Sequence, residues 1–216
     1  MFTGLIEKIG CLTDTTPIEG GAVLTVGHTP WDQPLVPGDS VAVQGACLTV
    51  VRAAGTEFVC DVLAETLQRT NLGAVKRDTR LNLERAIAAG SRFGGHFVSG
   101  HVDGVGEVES LRRHGQDHTL RIHCAEKLAE EVLSKGSVAC NGVSLTVTEA
   151  GARGFAVELV PYTWNRTSLR DLEAGDSVNI ETDMIGKYVR KALAGAGGHG
   201  IGLDMERLRS AGFLGD

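Results

Sequence analysis

An eleven-residue segment occurs twice in this chain, and that repetition decides most of what the chain can fold into. Ser40-Val-Ala-Val-Gln-Gly-Ala-Cys-Leu-Thr-Val50 returns 97 residues later as Ser137-Val-Ala-Cys-Asn-Gly-Val-Ser-Leu-Thr-Val147, with seven of the eleven positions identical. The flanks keep the offset: Thr66-Leu-Gln-Arg-Thr-Asn-Leu72 matches Thr163-Trp-Asn-Arg-Thr-Ser-Leu169, and Asn82-Leu-Glu84 matches Asn179-Ile-Glu181. Near the start the offset is 96, where Thr3-Gly-Leu-Ile-Glu7 faces Ser99-Gly-His-Val-Asp103. A period this long is a domain, not a solenoid unit. One small fold has been duplicated, and two like domains imply two like binding sites.

Each copy reads as β-structure. Val41-Ala-Val43 and Leu48-Thr-Val-Val51 are short β-branched runs around Gly45, and the second copy repeats this around Gly142. Each pair predicts two strands joined by a tight turn with glycine at its centre. Further strands are expected over 4–12, 22–27, 57–64 and 80–84, and in the second copy over 101–109, 118–123, 153–160 and 177–182. About six short strands per copy fit a small barrel or sandwich, and a barrel leaves no exposed edges. The low aromatic content, 5%, requires cores built mainly from aliphatic side chains.

Two helical stretches are expected. One covers Ala125–Leu133. The other starts after Asp183, where Met184, Ile185, Tyr188, Val189, Ala192 and Leu193 recur at helical spacing opposite Lys187, Arg190 and Lys191. That stripe lies outside both copies and serves either as a cap on its own barrel or as a contact between chains. Gly195–Gly202 reads as a linker. Its Gly-x-Gly-x-x-Gly pattern follows a helix and has no βαβ unit around it, so it is not a dinucleotide site. A last short helix is expected over Leu203–Phe213.

With 21 basic and 27 acidic residues and no basic stripe, a nucleic-acid partner is not expected. No apolar run reaches the ~18 residues a membrane span needs, and the N-terminus lacks the features of a secretory leader. The five cysteines, Cys11, Cys47, Cys60, Cys124 and Cys140, are odd in number and form no Cys-x-x-Cys pair. Thiols in a reducing cytoplasm are therefore expected. His114, His118, His123 and Cys124 invite a metal reading, but a loop-to-strand segment does not give them ligand geometry, so no metal is expected.

Met1-Phe-Thr-Gly-Leu-Ile-Glu7, Gly94-Gly-His-Phe-Val-Ser-Gly-His-Val-Asp103 and the paired Gly45-Ala-Cys-Leu-Thr-Val and Gly142-Val-Ser-Leu-Thr-Val turns resemble the riboflavin synthase family of the α-chain type, over roughly residues 1–194. The resemblance implies an all-β fold of two tandem six-stranded Greek-key antiparallel barrels, over 1–96 and 97–183, with a C-terminal helix and tail over 184–216. It implies a homotrimer held largely by that helix, with each active site between subunits and two lumazine molecules in it. The reaction it implies is a cofactor-free transfer of a four-carbon unit between two molecules of 6,7-dimethyl-8-ribityllumazine. The resemblance leaves room for association with lumazine synthase, and nothing in this sequence signals it.

Donor and acceptor need different chemistry, so the copies should differ where chemistry happens. Cys47 faces Ser144, Leu5 faces His101, Ala86 faces Asp183 and Phe2 faces Val98. His101 is a candidate proton carrier. Cys47 and Ser144 are candidate nucleophiles, with water as the alternative. Asp183 is a candidate catalytic carboxylate or a helix N-cap. Phe2 either stacks on a ring or plugs a barrel. By resemblance the first-barrel pocket comprises Gly4, Leu5, Ile6, Cys47, Leu48, Thr49, Asp61, Val62, Leu63, Ala64, Glu65 and Thr66. The second comprises Gly100, His101, Val102, Lys135, Ser144, Leu145, Thr146, Glu158, Leu159, Val160, Pro161, Tyr162 and Thr163. Tyr162 and Trp164 are bulkier than the family pattern and are expected to alter one wall of the second pocket. The alternative to an enzyme is a lumazine or flavin carrier, which would have lost polar groups in the second copy.

Overall fold

The structure, a computed structural model, describes residues 1–196. The first copy contains β1 (Lys8–Ile18), β2 (Gly21–Gly27), β3 (Ser40–Val43), β4 (Ala46–Ala54), β5 (Glu57–Leu63), α1 (Ala64–Arg69) and β6 (Arg80–Arg85). The second contains β7 (Gly104–His114), β8 (Asp117–His123), α2 (Glu126–Ala129), β9 (Ser137–Cys140), β10 (Val143–Gly151), β11 (Gly154–Leu159), α3 (Pro161–Arg166) and β12 (Ser177–Thr182). Each set of six strands closes into an antiparallel barrel, in the order β1-β2-β5-β4-β3-β6 and the equivalent β7-β8-β11-β10-β9-β12. Closure leaves no free edge in either sheet. The duplication extends to irregularities. Bulges at Leu12/Asp14 and Val50/Arg52 recur at Val108/Ser110 and Val147/Glu149.

Each barrel encloses its own aliphatic core. Leu12, Leu24, Val41, Phe58, Leu81 and Leu83 fill the first, and Leu120, Ile122, Val138, Phe155, Leu159 and Ile180 fill the second. The strand count and both glycine turns are as the sequence indicates. Gln44-Gly45 and Asn141-Gly142 both adopt positive φ, +49°/+82° and +45°/+79°, the pattern of a two-residue hairpin turn. The first strand of each copy starts four and three residues later than expected, at Lys8 and Gly104, because the preceding segments are arms that leave the barrel. The 125–133 helix shrinks to Glu126–Ala129. Two short helices, α1 and α3, were not expected. Each follows directly on a strand and ends where Thr70 or Thr167 turns extended.

The two barrels meet turn to turn, and a buried polar network repeats across the contact. Asn82 Nδ2 donates to the Asn141 carbonyl (2.9 Å), and Asn179 Nδ2 donates to the Gln44 carbonyl (2.8 Å). Asn82 Oδ1 accepts from Ser168 N, and Asn179 Oδ1 accepts from Asn71 N. All these side chains are buried, where an unmet hydrogen bond would cost about 1–3 kcal/mol. The network therefore fixes one relative placement of the barrels.

Residues 1–184 form one compact unit, and the described residues from 185 to 196 belong to a second. In the latter, α4 (Met184–Ala196) is helical, as the apolar spacing predicts. It includes Gly195 and Ala196, so the linker does not begin there. The remainder of the expected linker and the 203–213 helix lie outside the described residues. Among the described residues, no helix is long and apolar enough to cross a membrane.

Candidate active site

The arms preceding β1 and β7 build the site, and they are exchanged. Phe2 and Val98 pair as an isolated antiparallel bridge, with Phe2 N donating to Val98 O (2.7 Å) and Val98 N to Phe2 O (3.2 Å). From this crossing the first arm runs to the second barrel, where Ser144 N donates to the Gly4 carbonyl (2.8 Å) and Ile6 packs on the second core. The second arm runs to the first barrel, where Cys47 N donates to the Gly100 carbonyl (2.9 Å) and Val102 packs on the first core.

Two carboxylates hold the arms. Glu84 Oε1 accepts from Thr3 N and Thr3 Oγ1, both at 2.7 Å, and its Oε2 accepts from Gly4 N at 2.9 Å. Glu181 does the same for Ser99 N, Ser99 Oγ and Gly100 N, at 2.6–3.0 Å. Burial pushes the Glu84 carboxyl above its usual range, although its three hydrogen bonds pull the other way. The matched Glu84 and Glu181 of the sequence repeat are thus arm anchors, a role that pattern alone does not reveal.

This exchange corrects the grouping expected from the sequence. Gly4, Leu5 and Ile6 belong with Ser144 in the second-barrel pocket. Gly100, His101 and Val102 belong with Cys47 in the first. His101 is exposed, with its backbone N–H donating to Ser99 Oγ (3.2 Å). Phe2 is 0% exposed and packs with Ala42, Val98 and Ala139. In this structure the Phe2 ring plugs the crossing of the arms. A Cβ placed on Gly100 would lie 2.5 Å from Cys47 Cβ and 2.9 Å from the Phe2 ring, so Phe2 and Cys47 clasp Gly100 between them.

Leu48, Val62, Leu145 and Leu159 point into the cores and can offer a ligand only their backbone. Thr49, Asp61, Glu65, Thr146, Glu158 and Val160 are exposed, while Ala64, Thr66, Pro161 and Thr163 are half-buried. Of the bulky pair, Trp164 turns inward and stacks on His118 with centroids 3.6 Å apart and planes 2° from parallel. Tyr162 is 73% exposed, with the Arg166 guanidinium over its ring. Only Tyr162 can alter the pocket wall directly. His118 is engaged by that stack, and no group of three or more candidate metal ligands occurs among the described residues.

Lys135 adopts φ +66°, whereas Gly38 holds the same place in the first copy at φ +96°. A lysine in the left-handed region costs about 1–2 kcal/mol relative to glycine. Such local strain accumulates at functional sites.

One site residue escaped the sequence reading. His96 Nδ1 lies 2.7 Å from Ser144 Oγ, and the ring is only 7% exposed. Burial lowers its proton affinity below the ordinary 6.5, with the Asp183 charge opposing part of that shift. The neutral-ring pairing therefore contributes stability above pH 6.5, and that contribution is lost as pH falls through the lowered value.

The comparisons place this geometry. The lumazine binding domain family matches residues 3–86 and 99–183, the two barrels with their arms. Riboflavin synthase of Actinobacillus pleuropneumoniae is 40% identical over 215 residues, covering 99% of this chain and 100% of that one. The chain belongs to the riboflavin synthase family. The riboflavin synthase of Mycobacterium bovis is 41% identical over 201 residues, covering 91% of this chain and all of that one. Among solved structures, LumP complexed with riboflavin superposes with a TM-score of 0.78 at 25% identity, over 84% of this chain and 99% of LumP. Both barrels of this riboflavin synthase family member carry the lumazine-binding signature, and Cys47 and Ser144 differ at the matched position.

Proposed function

We propose that the chain joins two molecules of 6,7-dimethyl-8-ribityllumazine, moving a four-carbon unit from one to the other. The products are riboflavin and 5-amino-6-(D-ribitylamino)uracil. One observation carries this reading: two pockets share a backbone frame but present Cys47 with His101 in one and Ser144 with His96 and Asp183 in the other. A reaction between two copies of one compound needs like binding and unlike chemistry. Holding the two rings in register contributes up to ~7–11 kcal/mol by the effective-molarity argument, with no cofactor called on. A carrier has no use for two differently armed pockets.

Both pockets are open at the surface, and Leu5, Leu63, Leu133 and Val160 border them with more than half their area exposed. Ile185, Tyr188, Val189 and Leu193 of α4 are similarly uncovered. Exposed apolar groups in such number call for a partner. A homotrimer whose α4 helices pair, with the first barrel of one subunit facing the second of its neighbour, supplies it. The cytoplasm is the compartment this reading assigns.

Purified protein given the lumazine alone should form one riboflavin per two lumazines consumed, and activity should elute at the trimer volume in gel filtration. Tight binding without turnover would make the chain a carrier instead, and a fully active monomer would refute the shared site. Lys135→Gly should raise Tm by about 2–8 °C, by relieving the left-handed backbone. The same change should raise KM several-fold, because the ammonium is retained at that strained position for the ligand. Unchanged KM would remove Lys135 from the pocket.

A further inference from the structure

Gly4 and Gly100 are each suspended between the two barrels. Gly4 N donates to Glu84 Oε2 on β6 of the first barrel (2.9 Å), while the Gly4 carbonyl accepts from Ser144 N on β10 of the second (2.8 Å). Gly100 repeats this with the barrels reversed. Its N–H donates to Glu181 Oε2 on β12 of the second barrel (3.0 Å), and its carbonyl accepts from Cys47 N on β4 of the first (2.9 Å). Each glycine lies flat on the residue it faces. A Cβ on Gly4 would sit 2.6 Å from Ser144 Cβ, and one on Gly100 would sit 2.5 Å from Cys47 Cβ. The other carboxylate oxygen holds the residue before: Glu84 Oε1 accepts from Thr3 N and Oγ1, and Glu181 Oε1 from Ser99 N and Oγ. Those hydroxyls in turn accept from Leu5 N and His101 N, both at 3.2 Å. One buried carboxylate therefore orders a whole stretch of arm, and the pocket that this stretch lines belongs to the opposite barrel.

Resting on the functional reading above, we propose that Glu84 and Glu181 are positioning residues that act crosswise. Glu84 of the first barrel sets the affinity of the second-barrel pocket, and Glu181 of the second barrel sets that of the first-barrel pocket. Simple proximity predicts the reverse. Ala42 pairs across the sheet with both Glu84 and Cys47, and Ala139 with both Glu181 and Ser144. A merely local disturbance at Glu84 would therefore reach Cys47 and the first pocket. The hydrogen bonds carry the effect the other way, along the arm to Gly4 and Ser144. The two controls are separate, because the Phe2–Val98 bridge holds the crossing without either carboxylate, so loosening one arm leaves the other seated.

The test uses the full chain and a ribityllumazine with oxygen in place of the 7-methyl group, which cannot turn over. Equilibrium dialysis counts the bound analogue. Protection of the Cys47 thiol from iodoacetamide, read by peptide mass spectrometry, reports the first pocket alone. Wild type should hold one analogue in each pocket, with Cys47 protected. Glu84→Gln turns an amide N–H toward Gly4 N, donor against donor. It should weaken one site about 10- to 100-fold, the scale of a lost hydrogen bond to a charged group, and leave Cys47 protected at the wild-type concentration. Glu181→Gln should weaken one site by the same factor and expose Cys47. Thr3→Val and Ser99→Ala keep each carboxylate but remove one of its donors. They should give the same two patterns with smaller shifts, and they decide the matter if a glutamine variant does not fold. Exposure of Cys47 by the Glu84 or Thr3 variant, weakening of both sites by either, or unchanged binding in all four would overturn the proposal. Riboflavin formation by the wild type separates the two levels. If riboflavin forms while the variants fail these patterns, only the crosswise control fails. If the wild type forms no riboflavin and does not hold an analogue in each pocket, the functional reading fails and the proposal with it.

Discussion

Replacing Phe2 with alanine should cut turnover by about 100-fold or more, although its ring lies buried at the crossing of the arms rather than at a pocket surface. The ring is completely buried at the crossing of the arms, against Ala42, Val98 and Ala139. Truncating a buried phenylalanine costs about 3–5 kcal/mol, or roughly 6–20 °C in Tm for a domain of this size. The functional loss should exceed what the stability loss explains. Phe2 supports Gly100 behind Cys47, and its backbone pairing with Val98 sets where both arms leave the crossing. A displacement of about 1 Å at a reacting centre costs about 100-fold in rate. Thermal denaturation and ligand titration on the same sample check this. Phe2→Leu should keep most of the stability and recover only part of the activity. A Phe2→Ala protein that binds and turns over normally below its Tm would show that the arms hold position without the plug.

Gly45→Ala should be strongly destabilising, with Gly142→Ala equal to it. Each glycine adopts a positive φ, and a Cβ on Gly45 would lie 2.7 Å from Gly142 N, with 2.8 Å for the reverse. The obstacle is backbone on both sides, so no flexible side chain can yield. Strain in the left-handed region adds about 1–2 kcal/mol, and parting the turns would break the Asn82 and Asn179 bonds to the opposite carbonyls. A loss of about 4–6 kcal/mol follows when these contributions are combined. Denaturant unfolding measures it. A loss near 1 kcal/mol would mean that the turns can separate cheaply.

The sequence carried the barrels clearly and the site only in part. Strand number, the two hairpin turns and α4 follow from local signals: β-branched alternation, glycine at positive φ and a 3.6-residue stripe. The exchange of arms leaves no such signal. Matching the copies by offset pairs Leu5 with His101 and assigns each arm to the barrel it precedes, whereas the contacts run crosswise. His96 was missed for a related reason. Comparing the copies exposes differences only at positions present in both, and His96 lies before the first aligned residue of its copy. The Gly94-Gly95 pair directly before it was the available clue. The short helices α1 and α3 were hidden because Thr66–Leu72 and Thr163–Leu169 were read as repeat markers rather than as chain reversals under each pocket.

The crossed arms also bear on how such a molecule can change over time. Once each half supplies a wall of the other's pocket, a cut between the halves leaves each pocket without one of its own walls. A cut near residue 90 would leave one piece with Cys47 but without Gly100, and the other with Ser144 but without Gly4. The duplicated chain is in effect a strand-swapped pair made covalent, with each arm seated on the barrel it does not precede. The copies can differ in their reactive groups, as Cys47 and Ser144 do, while the exchanged arms keep the two pockets joined in one frame.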